Sequence, residues 1–159
     1  MNSRLITTWA EHDRAVEEIL ELSPTRLLIF DEDLSPLKLE QPERGAALSR
    51  LLSSKLDGKQ LTIVVQKAEF VRQYSPQLLK LLSVYAPALT IIHAPPHLAA
   101  LKDSLLIADG RHALVRFHRD HARSRLIIDD AQECSPYAKR FDEILGEGGE
   151  PLSTITLGL

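Results

Sequence analysis

Hydrophobic and polar positions along the chain follow two periods, one typical of helices and one typical of buried strands. Thr8 and Glu11 have the spacing of a capping box, in which each side chain satisfies a free amide group at the start of a helix. Trp9 and Ile19 then fall on one helical face, which predicts a helix that ends before Pro24. The same two periods predict strands over residues 26–30, 61–65, 89–92 and 125–128, and helices over residues 42–56 and 76–85.

The second half of the chain predicts a β-hairpin followed by a last helix. Asp109-Gly110 suits a tight turn with positive φ, and apolar runs flank it on both sides. The last helix begins either after a cap at Asp129 or Asp130, or at Pro136 with Ser135 as its cap. Alternating strands and helices followed by a hairpin predict an α/β fold with a mixed β-sheet flanked by helices.

Composition places the chain among globular proteins, with 44% hydrophobic and 26% charged residues. We expect one domain over residues 1–150 and a C-terminal tail over residues 151–159. Cys134 is the only cysteine, so no intramolecular disulfide can form, and no apolar run is long enough for a signal peptide or a membrane helix. These features predict a cytoplasmic protein. With one Trp, three Tyr and four Phe, we expect no aromatic platform for stacking bases.

Charge is distributed unevenly, although its net value is only −3. The segment from Glu11 to Glu43 holds ten acidic and three basic residues. The segment from Arg111 to Arg125 holds five arginines and one aspartate. Two solvated faces explain this pattern, and so does a basic strip that binds anions or the acidic segment of a second copy.

The hairpin carries a segment that resembles the signature of the phospholipase D superfamily. That signature is His-x-Lys, four residues, Asp, six residues and Gly-Ser. Asp109 matches its aspartate, whereas Lys102 and Ser104 stand in place of the histidine and the lysine. Arg116 and Phe117 stand in place of Gly-Ser.

The resemblance extends to the order of the elements from Trp9 to Gly146 and implies a phospholipase D-like half-domain. In that superfamily one histidine attacks phosphorus, a second protonates the leaving oxygen, and the lysine stabilises the phosphoryl oxygens. Because these residues are replaced, the resemblance implies that hydrolysis is lost and that the chain is a binding or interaction module. Active members join two halves across the motif, so the resemblance also implies a homodimer.

The ligand implied by this resemblance is anionic or bears phosphate, and a nucleic acid is one candidate. Arginine side chains suit phosphate oxygens because they donate in pairs. The candidate ligand-binding residues are Lys102, Asp109, Arg111, Arg116 and Arg119, and we expect no cofactor and no metal. Two further segments, 33–37 and 156–159, resemble a bacterial family of degenerate half-domains that has no assigned activity.

The run that ends in Asp31 and Asp33 supports an alternative function. It resembles the first motif of haloacid dehalogenase-like phosphatases, in which two aspartates follow a buried strand. The first attacks phosphorus, the second acts as acid and base, and Mg²⁺ neutralises the site. In this alternative Asp31 and Asp33 are catalytic, and the metal is held by Asp31, Asp33, Asp129 and Asp130. The Leu-Ser that follows Asp33 departs from the Gly-Thr that is usual in that family.

Overall fold

The computed structural model describes residues 3–54 and 56–154, which form eight strands, five α-helices and two short 3₁₀ helices. The strands are β1 (Ser3–Ile6), β2 (Leu27–Asp31), β3 (Leu61–Val65), β4 (Leu89–His93), β5 (Ser104–Ala108), β6 (His112–Arg116), β7 (Ser124–Ile127) and β8 (Glu150–Pro151). The helices are α1 (Trp9–Glu21), α2 (Pro42–Ser53), α3 (Glu69–Tyr74), α4 (Pro76–Tyr85) and α5 (Ala131–Gly146).

The eight strands belong to one mixed sheet, in the order β1-β7-β6-β5-β2-β3-β4-β8. β2, β3 and β4 run parallel, with helices between them, as parallel strands require a crossover connection. The other neighbouring strands are antiparallel, including the predicted hairpin of β5 and β6. The predicted α/β class, with a mixed sheet flanked by helices, is confirmed.

The register of the strands decides which residues lie at each end of the sheet. β2, β3 and β4 finish at Asp31, Val65 and His93. The same end holds the start of β5 and the finish of β6, where Ser104 pairs with Arg116. We call it the carboxyl end, and we call the opposite end, which holds the turn between β5 and β6, the hairpin end.

Helices cover both faces of the sheet. Residues of α1, α2 and α4 share one hydrophobic core with the sheet, and α5 packs against β5 and β6 on the other face. Since successive residues of a strand point to opposite faces, Ile29 and Leu106 belong to the first core, while Phe30 and Leu105 belong to the second. The central strands are therefore buried on both faces, which explains their continuous apolar sequence.

The helix ends follow the capping residues in the sequence. Thr8 and Glu11 form the predicted capping box, in which the Thr8 hydroxyl accepts from the Glu11 N–H and the Glu11 carboxylate accepts from the Thr8 N–H, both at 3.1 Å. Of the two starts left open for the last helix, the structure has the earlier one. The Asp130 carboxylate accepts from the Glu133 N–H at 3.0 Å, and Pro136 lies inside α5.

Some features differ from the sequence prediction. The pattern does not predict β1 or β8, because β1 has a single fully buried residue and β8 has only two residues. β8 includes Pro151, so the sheet reaches into the segment expected to be a tail. The side chain of Trp9, expected on the apolar face of α1, is 47% exposed because it begins the helix at the carboxyl end of the sheet.

The C-terminal segment 156–159, which carries part of the resemblance to a bacterial family, lies outside the described residues. Among the helices that the structure describes, none is both long and apolar enough to cross a membrane.

Candidate functional site

Three buried polar side chains meet at the carboxyl end of the sheet. Asp31 ends β2, Ser104 begins β5 and Arg116 ends β6, and the strand register brings the three together. One oxygen of Asp31 accepts from Arg116 Nη2 at 2.8 Å and from Ser104 Oγ at 2.7 Å. Arg116 Nη2 also lies 3.0 Å from Ser104 Oγ. The side chains of Asp31 and Arg116 are each only 1% exposed, so this is a buried ion pair.

The second carboxylate oxygen of Asp31 is also occupied. It accepts from the backbone N–H of Asp33 at 3.1 Å and from that of Leu34 at 2.8 Å. These bonds hold the loop after β2, in which Leu34 has a φ of 75° although it is buried. Left-handed backbone is unfavourable for leucine, so the surrounding contacts, including those of Asp31, must maintain it.

Arg116 extends the cluster toward the surface. Its Nη1 donates to the backbone carbonyl of Arg119 at 2.5 Å, which orders the loop after β6. Its Cζ lies 5.4 Å from the centroid of the Trp9 ring, within the range of a cation–π contact. Among the described residues, no group accepts a hydrogen bond from the buried Nε of Arg116.

His12 lies beside this cluster, one turn after the start of α1. Its side chain is buried, and its ring meets Trp9 edge to face at a centroid distance of 5.4 Å. Burial, together with the positive charge of Arg116, lowers the pKa of His12 to about 4. His12 is therefore neutral at pH 7, which avoids a second buried cation next to Arg116.

The space inside the cluster is too small for a substrate. The cavity lined by His12, Asp31, Ser104 and Arg116 has a volume of about 10 Å³. A cavity of roughly this size holds one water molecule. The polar groups of the cluster therefore bind one another and are not exposed to a ligand.

A second, more exposed set of charges surrounds the cluster. Arg119 Nη1 lies 3.0 Å from the Glu32 carboxylate and 3.4 Å from Gln66 Oε1. Glu32 also pairs with the exposed Lys67 at 3.3 Å. The backbone N–H of Arg119 donates to the carbonyl of Lys102 at 2.7 Å. Arg119 therefore connects the loops that follow β2, β3 and β6 to the segment before β5.

The five predicted ligand-binding residues fall into two groups. Lys102, Arg116 and Arg119 lie together at the carboxyl end, where Lys102 is exposed and Arg116 is buried. Asp109 and Arg111 lie at the hairpin end. Asp109 accepts from the backbone N–H groups of residues 25 and 26 at 3.0 Å, and Arg111 pairs with Asp129. The structure therefore does not bring Asp109 and Arg111 to the other three.

The residues of the phosphatase alternative are also separated. Asp31 and Asp33 lie at the carboxyl end, whereas Asp129 and Asp130 lie at the hairpin end, where the Asp130 N–H donates to the carbonyl of Arg111. Within the described ranges, no group of three or more His, Cys, Asp or Glu side chains could hold a metal ion. Asp31 is buried with both oxygens occupied, so it does not face a substrate as a nucleophile would.

The sequence indicated Asp31 and Arg116 as candidates for two different sites. It did not predict that they form an ion pair or that His12 lies beside them. The pair spans 85 positions, and nothing in the local pattern links its members. The available signal was an acidic residue at the end of β2 together with an arginine at the end of an otherwise apolar strand. Such residues often compensate each other when both are buried.

Comparison with known proteins supports one family and one fold. A family model described as a domain of unknown function, DUF7931, matches residues 8–150. No curated protein matches the chain.

Solved structures with a similar fold include an archaeal chromatin protein and two proteins named NucT and Nuc. TrmBL2, an archaeal chromatin protein described as showing a novel mode of DNA binding, superposes with a TM-score of 0.68 at 13% identity. That match covers 96% of this chain and 55% of TrmBL2, so the chain spans about half of it. NucT from Helicobacter pylori has a TM-score of 0.58 at 10% identity, covering 93% of this chain and 98% of NucT.

Nuc from Salmonella typhimurium, a phospholipase D family member, has the same TM-score of 0.58 at 10% identity, with coverage of 94% and 98%. These identities are low, so the likeness concerns the fold. The phospholipase D-like fold implied by the sequence is therefore confirmed.

We predict that Arg116→Met destabilises the protein by about 3–5 kcal/mol, because it leaves the Asp31 carboxylate buried without its cation. The measurement is the free energy of unfolding from urea denaturation. Arg119→Met is the matched control, since its partner Glu32 is 26% exposed and the loss should be smaller. Equal losses for the two variants would contradict the central role assigned to the buried pair.

Proposed function

Because the chain belongs to the DUF7931 family and has a phospholipase D-like fold, we propose that it is a non-catalytic half-domain that binds a phosphate-bearing ligand. The ligand binds at the carboxyl end of the sheet. The observation that carries this proposal is the buried cluster of Asp31, Ser104 and Arg116, because Ser104 and Arg116 stand at positions that the resemblance aligns with the catalytic motif.

Loss of hydrolysis follows from the chemistry of the replaced residues. Ser104, in the position of the motif lysine, donates its hydroxyl to Asp31 and carries no charge for phosphoryl oxygens. Lys102 stands in the position of the motif histidine, and a lysine side chain there donates hydrogen bonds without supplying the imidazole nitrogen that attacks phosphorus. Without a nucleophile and a general acid, the site cannot cleave a phosphodiester. Its exposed cations can still attract a phosphate group.

Binding of phosphate is supported by position and charge. In open α/β sheets, ligands bind outside the carboxyl ends of the parallel strands. Lys102 and Arg123 are exposed there, and Lys67 is exposed beside its partner Glu32. Arg116 and Arg119 order the loop between β6 and β7 and thereby support this surface. DNA is the first phosphodiester to test, because TrmBL2 binds DNA.

The degenerate motif and the resemblance to one half of the two-half enzymes lead to two further parts of the proposal. The chain is a member of a bacterial group of half-domains in which the catalytic residues are replaced. It forms a homodimer, as expected from enzymes of this fold that join two halves across the motif.

We predict that Lys102→Ala and Arg123→Ala each weaken binding of fluorescein-labelled DNA severalfold, measured by fluorescence anisotropy. The reason is loss of a phosphate contact, so the slope of log affinity against log salt should also fall, by about 0.7 to 0.9 for each contact. Lys59→Ala is the matched control, because Lys59 is also exposed but lies at the hairpin end, before β3.

Equal weakening by Lys59→Ala would mean that DNA is attracted by overall charge. If Lys102→Ala and Arg123→Ala both leave the affinity for DNA and the salt slope unchanged, the carboxyl end is not the binding site.

Sedimentation velocity tests the homodimer. We predict a species of twice the 17.8 kDa chain mass at micromolar concentration. A monomer at that concentration would contradict the homodimer. It would not bear on the proposed phosphate-binding site.

A further inference from the structure

A second cavity lies at the hairpin end of the sheet, away from the buried cluster. Its volume is about 520 Å³, which is within the range of small-molecule sites. The segments before β2 and β3, the two central strands and the hairpin turn all contribute to its lining, which includes Arg26, Leu28, Lys59, Ile107, Gly110 and Arg111. Arg111 and Asp109, which the structure separates from the carboxyl end, therefore line a cavity of their own.

The floor of this cavity is apolar. Leu28 of β2 and Ile107 of β5 are paired residues of neighbouring strands. Both pack in the second core, so the cavity lies on the face of the sheet against which α5 packs. Ile107 is fully buried, whereas Leu28 is only partly covered by the protein. The apolar part of a ligand can therefore lie against Leu28 and remove it from water.

Arg26 is held in place beside this floor. Its Nη1 donates to the carbonyl of Lys59 at 2.7 Å, and its Nη2 donates to the carbonyl of Asp57 at 3.0 Å. These bonds use only part of the guanidinium, and its remaining N–H groups have no acceptor among the described residues. Arg26 is thus ordered by the backbone and still has donors for an anion, which lowers the entropy cost of binding one.

The charges around the cavity leave an excess of positive charge. Within the described ranges, neither Arg26 nor Lys59 forms an ion pair with a carboxylate. Arg111 is paired with Asp129. Asp109 is the carboxylate of the lining, and its Oδ1 already accepts from three N–H or O–H groups of residues 25 and 26. Arg26 and Lys59 are therefore the cations that an anionic ligand can pair with.

The hairpin turn adds a backbone donor. Asp109 and Gly110 have φ values of 55° and 67°, as the two central residues of a type I′ turn require. The Arg111 N–H closes this turn on the carbonyl of Ala108 at 3.1 Å. The Gly110 N–H gives no hydrogen bond to any residue that the structure describes, although Gly110 lines the cavity.

We propose that this cavity binds a small organic phosphate, whose phosphate group contacts Arg26 and Lys59 and whose apolar part lies against Leu28. Phosphate oxygens suit this arrangement because they accept several charged hydrogen bonds at once. The inference goes beyond the proposed function, which places its ligand at the opposite end of the sheet. The two sites share no residue.

A nuclear magnetic resonance titration of isotope-labelled protein reads this cavity directly, because the amide of Gly110 lies in its lining. We expect phenyl phosphate to shift the Gly110 signal in a saturable way. The reference signal is that of Gly45 in α2, on the other face of the sheet, which should stay in place. Inorganic phosphate lacks the apolar part and benzoate lacks the phosphate, so we expect both to bind severalfold more weakly.

Variants assign the contact to a side chain. We expect Lys59→Ala to weaken phenyl phosphate binding, measured at Gly110, by about tenfold, because one charged hydrogen bond is lost. The side chain of Lys59 has no partner among the described residues, so this variant should fold as the native chain does. Lys139→Ala is the matched control, because Lys139 is an exposed lysine of α5 that does not line the cavity.

The outcomes separate this inference from the proposed function. A Gly110 signal that phenyl phosphate does not shift, or an affinity that Lys59→Ala leaves unchanged, would overturn the inference. Equal affinity for benzoate would overturn phosphate as the group recognised, and equal affinity for inorganic phosphate would overturn the role of the floor. Lys102→Ala, which we expect to weaken DNA binding, should leave the Gly110 titration unchanged. If it weakened that titration as Lys59→Ala does, general attraction of anions would explain the shift, and the inference would fall.

Discussion

The ion pair between Arg116 and Asp31 organises the carboxyl end of the sheet. Burying two charges carries a desolvation penalty that only good geometry and further hydrogen bonds can offset. Here the geometry comes from adjacent strands, and the further bonds come from Ser104, Arg119 and the loop after β2. The pair therefore requires the register of β2, β5 and β6 and the path of two loops at once. His12 adapts to it by remaining neutral, since its pKa is lowered to about 4.

The same pair is the basis of our proposal that this phospholipase D-like fold binds a ligand without cleaving it. Its carboxyl end is filled by side chains that hydrogen-bond to one another, with a cavity of only about 10 Å³. What reaches solvent there includes an outer layer of exposed cations. Fold and function are separable in this way, because function depends on the side chains of the site. Binding without bond cleavage is therefore the function that we propose for this surface.

Much of the fold could be predicted because the signals are local. The capping box of Thr8 and Glu11, the Asp109-Gly110 turn and the apolar strands each depend on neighbouring residues. β1 and β8 lack such signals, since the first has little burial and the second is two residues long. The site was harder to predict from the sequence, because its contacts join residues that are far apart in the chain. Asp31 and Arg116 were recognisable as unusual residues, but their pairing across 85 positions follows only from the register of the sheet.

The most direct test is an assay of an aryl phosphate diester and an aryl phosphate monoester, each with Mg²⁺ and with a chelator. The native chain should hydrolyse neither substrate, because Asp31 is paired with Arg116 and the motif histidine and lysine are replaced. Mg²⁺-dependent cleavage of the monoester that disappears in Asp31→Asn would contradict the account and support an aspartate phosphatase. Cleavage of the diester that persists with the chelator would contradict it as well, because the site would then have kept phosphodiesterase chemistry.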